Sequence, residues 1–433
     1  MLTSFFIGLV LLVALLLLSI PVPYVFGSVV MYMSATTNVG VKSLMLFTLP
    51  QMCSFVLLAS PLFILAGTLM GGSGIAKRLL DFVDMFIGHI KGGLGAVACV
   101  TCAIIGAISG SGFTGIAATG PIMIPRMVEQ GYPRGFATAL VTAASIMGIL
   151  IPPSIIMVIY GWVTETSILA CFLATLVPGL IICFLMCLVN FWYCRTKFNI
   201  IVDTRAATLE KRKQAIPITV KAFPALMMPF IILGGIYGGV FTATESAAVA
   251  AIYAIPVGMF FYKSMKAKAL YALLREAGVM IGSIMAMIFT GVMFGQIYTV
   301  LQIPRAMADL VFSVTTNKTL LLLLINIFLI VISLVVSDTL GMLICAPLLL
   351  PLVRTIGVDP VHFAAIMGVN LAMGGMTPPY ASILYFGLKV GKAEFSEVIG
   401  PVMVFIIFAF IPVILLTTYV PILSLGVPRL LGY

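Results

Sequence analysis

Long apolar runs follow one another along almost the whole chain, and the informative places are where a run is interrupted. Residues 3–27 predict a first helix with Pro21 and Pro23 near its end, and residues 43–70 a second, kinkable at Pro50 and Pro61. Over 75–91, Lys77, Arg78, Asp81 and Asp84 alternate with Leu79, Leu80, Phe82, Val83, Phe86 and Ile87, the pattern of an amphipathic helix lying at an interface. Two apolar arms, 95–108 and 116–124, then flank Ser109-Gly110-Ser111-Gly112-Phe113-Thr114-Gly115, a stretch too rich in Gly and hydroxyls to continue a helix. The run 135–161 is cut at Gly148 to Ser154, where Pro152-Pro153 removes two helix donors and predicts two half-helices. Further spans are expected at 168–192, 222–241, 243–262 and 277–297, with basic links at 195–221 and 263–275 and a short polar segment around Arg305 and Asp309. The run 319–336 meets Ser337-Asp338-Thr339-Leu340-Gly341 and continues to Pro351; 362–391 breaks at Gly374 to Pro379; 396–420 closes the chain.

Interruption and broken helix recur in the same order. Pro121 and Pro125 have counterparts in Pro347 and Pro351, Pro152-Pro153 in Pro378-Pro379, and Tyr160-Gly161 in Phe386-Gly387, all at one offset. If each polar interruption is the tip of a re-entrant hairpin, five spans lie between the two, so the hairpins enter from opposite faces and the halves are inverted repeats. The expected division is 1–92 and 166–318 as scaffold, 93–165 and 319–392 as the two halves of a transport domain, and 393–433 as a last scaffold helix.

Composition sets the solvent. Of 433 residues 62% are hydrophobic and 8% charged, against about 25% charged in a water-soluble domain. The chain is read as an all-α polytopic membrane protein whose first 25 residues, lacking a basic start and a cleavage site, form a retained helix. The net charge of +10 marks cytoplasmic loops, not nucleic acid. On the re-entrant model eighteen of the 23 Lys and Arg fall on one side, leaving Lys42, Arg305, Lys318, Arg354 and Arg429 on the other. That places the N-terminus and first hairpin in the cytoplasm, and the second hairpin and C-terminus beyond the membrane. The eight cysteines, Cys99 and Cys102 included, are read as free thiols, because two His supply no ligand cluster.

Paired, Gly/Pro-interrupted segments in two halves point to a transporter's binding site, where half-helix N-termini face an anion and unwound carbonyls face Na⁺. One cation site is expected from Ser109 and Ser111 with Gly148, Ile151 and Pro153; a second from Ser337 and Gly341 with Gly375, Thr377 and Pro378. Gly110, Gly112, Thr114, Ser154, Asp338, Thr339, Pro379 and Ser382 are the expected substrate contacts. Asp338 stands out as an acid inside an apolar run. Arg126 and Arg354 are read as topology anchors, and Gly106 with Gly110 as helix packing. No nucleophile–base pair, metal cluster or phosphate loop is legible, so no enzyme and no cofactor beyond Na⁺ is expected.

Gly239-Val240-Phe241-Thr242-Ala243-Thr244-Glu245-Ser246-Ala247-Ala248 resembles the G-x-F-T-P-T-E-A-A-A signature of the large membrane subunit of tripartite ATP-independent periplasmic (TRAP) transporters, with Ala243 for Pro and Ser246 for Ala. Gly148 to Ser154 and Gly375 to Pro379 resemble that family's two broken-helix motifs. The resemblance covers essentially the whole chain and makes Thr242, Thr244 and Glu245 structural. It implies Na⁺-coupled, elevator-type uptake of an organic acid such as a C4-dicarboxylate, sialate or sugar acid across a bacterial inner membrane. It also implies two partners, a small membrane subunit and a periplasmic substrate-binding protein. A stand-alone divalent-anion:Na⁺ symporter of the same plan is the nearest rival; a channel subunit and an intramembrane enzyme are more distant ones.

Overall fold

The computed structural model describes residues 2–18, 20–37, 39–200 and 215–433. Asp203, Arg205, Glu210, Lys211, Arg212 and Lys213 of the basic link lie outside the described residues. Among the described residues every regular element is a helix. Eight are long and apolar enough to cross a membrane, or nine if one pair bent by 70° counts as a span.

The N-terminal third has more helices than its apolar runs suggest. Residues 3–27 are not one span: α1 (Leu2–Leu17) and α2 (Val22–Thr37) fold back on each other, with Gly8 against Met33 and Val29. The chain breaks before Pro21, whose ring is tolerated at a helix start but not inside one. The expected second span is likewise two helices, α3 (Val41–Met52) and α4 (Ala59–Gly72). α4 turns by 70° into α5 (Ile75–Ile87) at Gly74, whose φ of 77° suits glycine. α5 is amphipathic as read, but Ile75, Leu79, Leu80 and Val83 are buried against protein, on α6 (Gly93–Ser109) and α12 (Ala215–Tyr237).

α6 and α7 (Gly112–Glu129) form the first hairpin, followed by α8 (Arg134–Ser145), the single turn α9 (Met147–Leu150) and α10 (Ile155–Thr164), the first broken helix. α11 (Ile168–Thr196) is 29 residues long. Then come α12, α13 (Ala243–Pro256, extended by a π turn at 257–261) and α14 (Ala267–Val300). The segment around Arg305 and Asp309 is a twelve-residue helix, α15 (Ile303–Val314). α16 (Lys318–Val335) and α17 (Asp338–Thr355) form the second hairpin; α18 (Pro360–Gly374) and α19 (Ser382–Gly391) form the second broken helix. The last span is α20 (Phe395–Phe405), a π turn and α21 (Ile411–Tyr419); a final helix, α22 (Ile422–Leu430), has no counterpart in the expected elements.

The two broken helices run antiparallel. The Tyr160 hydroxyl, on the second half of the first, donates to the carbonyl of Pro360, the opening residue of the second, at 2.7 Å. Arg134, which opens the first, donates to the carbonyl of Gly391, which ends the second, at 3.2 Å. Each hairpin leads into the start of its own broken helix, so the hairpins open at opposite ends of the bundle, called inner (α6–α7) and outer (α16–α17).

The helices sort into two groups by what they touch. The hairpins pack on the broken helices, and each returning leg also meets the other half: α7 touches α8 and α19, and α17 touches α18 and α10. α11 packs on α6, α9, α10 and α18, and α20 on α8. The second group comprises α1–α4 with α12–α14: α13 lies on α4, and α14 on α2 and α4. α5 and α15 lie between the groups, on α6–α7 and on α17. On α5, Asp84 (side chain 7% exposed) pairs with Arg126 of α7 at 3.1 Å. The window of Arg134–Thr164 is wholly buried, which makes the first broken helix the axis of the group formed by the hairpins and broken helices.

Candidate substrate and cation site

Each tip is shorter than its polar stretch. Ser109 is the last residue of α6; Gly110 sits at φ 62°, its N–H donating to Gly106 O at 2.9 Å; Ser111 is extended; and Gly112, Thr114 and Gly115 already belong to α7. The glycines let backbone meet backbone. A Cβ on Gly106 would lie 2.3 Å from the Cα of Gly148, one on Gly148 would lie 2.8 Å from Ser111 O, and one on Gly110 would lie 2.8 Å from Pro153 O. The first tip is therefore seated on the first break. Ser109 and Ser154 are fully buried. The Ser109 hydroxyl reaches Ser111 O at 3.4 Å, and the Ser154 hydroxyl donates to Ile149 O. The C-terminal ends of α6 and α9 bring carbonyls with partial negative charge to this join, beside Ile151 and Pro153, which suits a hard cation.

The second tip is built differently. Val336 and Ser337 are extended, and Asp338, Thr339 and Gly341 lie inside α17. Ser337 Oγ accepts from Leu340 N at 3.4 Å; Asp338 Oδ1 accepts from Thr339 N at 2.8 Å and faces Thr339 Oγ1 at 3.4 Å. α17 thus caps itself, whereas no side chain caps the N-terminus of α7. The second break is hydrogen-bonded to its tip: Tyr380 N–H donates to Leu334 O at 3.0 Å. A Cβ on Gly374 would lie 2.4 Å from Ser333 O. Of the expected cation ligands here, Thr377 Oγ1 donates to Met373 O at 2.8 Å, and Gly375 O accepts the amides of Ile383 and Leu384 at 2.9 and 3.2 Å. Gly341 faces the side chain of Leu371. Ser337, Thr377 and Pro378 remain half-buried beside the tip, and Pro379 is exposed.

The first tip and the second break meet across Ile383, whose Cδ1 would lie 2.8 Å from a Cβ on either Gly112 or Gly375. Ser382 opens α19 at the same place. Tyr380, which the sequence reading passed over, sits with its phenol beside Ser337, Ser382 and Asp338. Its position directly after Pro378-Pro379 was the available signal. Ala381, at φ 33°, holds a conformation that L residues rarely adopt, and such strain gathers at functional sites. A crevice of about 340 Å³ between the groups leads to Thr114, walled by Gly67, Thr68 and Gly71 of α4, Phe113 of α7, Glu276 of α14 and Phe386 of α19.

The signature residues lie away from the tips. Thr242 and Glu245 form a reciprocal capping box at the start of α13, with Thr242 N–H to Glu245 Oε2 at 2.8 Å and Glu245 N–H to Thr242 Oγ1 at 3.2 Å. The Thr244 hydroxyl donates to Phe55 O at 3.1 Å, tying α13 to the turn before α4.

A family model described as "Tripartite ATP-independent periplasmic transporter, DctM component" matches residues 9–423. The chain is 31% identical to the C4-dicarboxylate TRAP transporter large permease protein DctM of Rhodobacter capsulatus, over 98% of each chain. It is 34% identical to the sialic acid TRAP transporter large permease protein SiaM of Vibrio cholerae, over 93% of each. It is 38% identical to the isethionate TRAP transporter permease protein DctMQ of Oleidesulfovibrio alaskensis, over 85% of this chain but 57% of that longer protein. Among solved structures, the YdaH transporter of Alcanivorax borkumensis shares the fold at a TM-score of 0.53 and 16% identity, over 85% of each chain.

Proposed function

The chain belongs to the DctM family of TRAP transporter large permeases, and on that footing we propose that it carries out Na⁺-coupled uptake of an organic acid across the bacterial inner membrane. The carboxylate is handed over by a periplasmic binding protein, and a small membrane subunit completes the permease. Relatives named for C4-dicarboxylate, sialic acid and isethionate support an organic anion as cargo.

The observation that carries the reading is the seating of each hairpin tip on its own break, Gly106 against Gly148 and Tyr380 N–H on Leu334 O. Such joins bring carbonyl ends for Na⁺ and helix N-termini for an anion to the middle of the bundle. The halves are inverted repeats in this reading. Two facts support that: α7 at 112–129 and α17 at 338–355 keep the offset that relates the Pro-Pro pairs, and the broken helices are antiparallel.

The inner end is the cytoplasmic one. α2 runs antiparallel to α14, with Phe26 against Phe294 and Gly27 near Thr290, so Lys42 joins the basic inner side. Arg305, Lys318, Arg354 and Arg429 stay outside. Of the five helices before the first hairpin, α1–α4 are crossings in this reading and α5 is not, which leaves the N-terminus inside, as two crossings would. Transport is an elevator movement in which the hairpins and broken helices slide along α4 and α14. The contacts support placing α11 and α20–α21 in the moving body, a different boundary from the sequence-based division.

The test is uptake into proteoliposomes holding this chain with its small subunit and binding protein. Accumulation is expected with an inward Na⁺ gradient and is lost when either the gradient or the binding protein is omitted. Undiminished uptake without Na⁺ would remove the coupling, and uptake without the binding protein would favour a stand-alone symporter.

A further inference from the structure

At the inner end of the bundle a cavity of about 370 Å³ lies between α5, α7 of the first hairpin and the start of α12, away from both tips. Five of its lining residues are charged: Arg78, Asp81 and Asp84 of α5, Arg126 of α7 and Lys221 of α12. Ligand cavities run from about 300 to 1,000 Å³, so this one admits a group of many atoms rather than a single ion. We propose that it holds the headgroup of a phospholipid carrying both a phosphate and a primary ammonium, of the phosphatidylethanolamine type. A lipid seated there touches the hairpin group through α7 and the second group through α12.

The charges in the cavity are only partly paired. Arg126 gives one Nη to the buried carboxylate of Asp84 at 3.1 Å, and it makes no other hydrogen bond among the described residues. A guanidinium carries five N–H groups in a fork that suits phosphate. Lys221 is exposed, and among the described residues its ammonium has no ion-pair partner. The Arg78 guanidinium lies over the Tyr262 ring, 5.6 Å from its centre, and the Tyr262 hydroxyl donates to Lys221 O at 2.9 Å, so two of the three cations share one support. Asp81 is the odd member. It is half-buried with Lys77, Arg78 and Arg126 in electrostatic reach, yet no described cation comes within ion-pair distance of it.

A free anion in this cavity would satisfy the cations but leave Asp81 facing a like charge, whereas a ligand of both signs opposes neither. Phosphate suits Arg126 and Lys221, and an ammonium suits Asp81 as a charge-assisted donor. The surroundings suit acyl chains. α5 is an amphipathic helix, and Phe86, Ile216 and Val220, next in sequence to the lining residues Met85, Pro217 and Lys221, are exposed apolar residues. Basic cavities between helices on the cytoplasmic side are established lipid-headgroup sites.

The experiment is thermal melting of the purified two-subunit permease in detergent, titrated with phosphatidylethanolamine, phosphatidylcholine or phosphatidylglycerol of the same chains, and separately with phosphoethanolamine or inorganic phosphate. Phosphatidylethanolamine is expected to raise the melting temperature by several degrees, and the other two lipids to need roughly fivefold more or beyond for the same shift. The two soluble compounds, lacking chains, should need far more still. Lys221→Gln should raise the phosphatidylethanolamine concentration for half the shift roughly fivefold, and Asp81→Asn should abolish the preference over phosphatidylglycerol. Both variants should keep the wild-type shift on adding Na⁺, which reports that they are folded. Inorganic phosphate acting as well as the lipid would make this a free-anion site and overturn the proposal. So would equal stabilisation by phosphatidylcholine, a preference that Asp81→Asn leaves unmoved, or no shift with any lipid. None of these readouts uses uptake, so the transport reading stands or falls on its own assay.

Discussion

Gly148 is the point where the first break and the first hairpin tip meet backbone to backbone. Its added Cβ would press on Ser111 O and on the Cα of Gly106, both backbone atoms that cannot swing aside. Gly148→Ala is expected to cost about 1–3 kcal/mol through overpacking and to weaken Na⁺-dependent stabilisation, read as a smaller melting shift on adding Na⁺. Gly278, on α14, has open space around it, so Gly278→Ala should leave that shift unchanged and stabilise the helix by up to about 1 kcal/mol. Ser109→Ala and Asp338→Asn should both lower Na⁺-dependent uptake in folded protein, and wild-type rates in both would remove these residues from the site. The small and polar residues at the breaks were legible because they interrupt apolar runs. Tyr380 has only its place directly after Pro378-Pro379 to mark it, since an aromatic residue at the edge of an apolar run otherwise looks like any other part of a membrane helix.

At the scale of elements, the broken helices and hairpin arms were readable from Gly, Pro and hydroxyl punctuation. The N-terminal hairpin α1–α2 was not: Pro21 and Pro23 fit the end of one helix as well as the start of the next. Membrane helices also hide their partners, because a lipid-facing and a protein-facing surface are equally apolar. The signals that remain are isolated amides and hydroxyls. Asn370 Nδ2 donates to Asn326 Oδ1 at 2.8 Å, and Asn326 Nδ2 to Thr418 Oγ1 at 2.9 Å, joining α18, α16 and α21 inside the bundle. The matching positions one repeat earlier are Ala144, Val100 and Trp192, so the first half lacks this network; its hairpin is held instead by Asn190 of α11, whose Nδ2 donates to Gly92 O at 2.8 Å. Asn370→Leu strips that network and is expected to destabilise the protein by about 1–2 kcal/mol, seen as a lower melting temperature in detergent. The capping box of α13 makes a separate prediction. Thr242→Ala should cost about 1 kcal/mol in stability and leave the Na⁺ dependence of uptake untouched, because Thr242 lies away from both tips.

For the whole molecule, the proposed division into a body that moves and one that stays rests on contacts that sequence order does not predict. α11 and α20 follow the broken helices in the chain and read as ordinary spans, yet they pack on the hairpin group and move with it in this account. Spin labels at Met31 of α2, Leu188 of α11 and Ile327 of α16, which are 59%, 47% and 50% exposed, address both bodies. The most direct measurement is the pulsed electron–electron distance between Met31 and Leu188 in lipid, with and without Na⁺, with the Leu188–Ile327 pair as reference. The account predicts that the Met31–Leu188 distribution shifts or gains a second population between conditions while Leu188–Ile327 keeps its single distance. A Met31–Leu188 distance that stays fixed while Leu188–Ile327 changes would place α11 in the static body and contradict the elevator division.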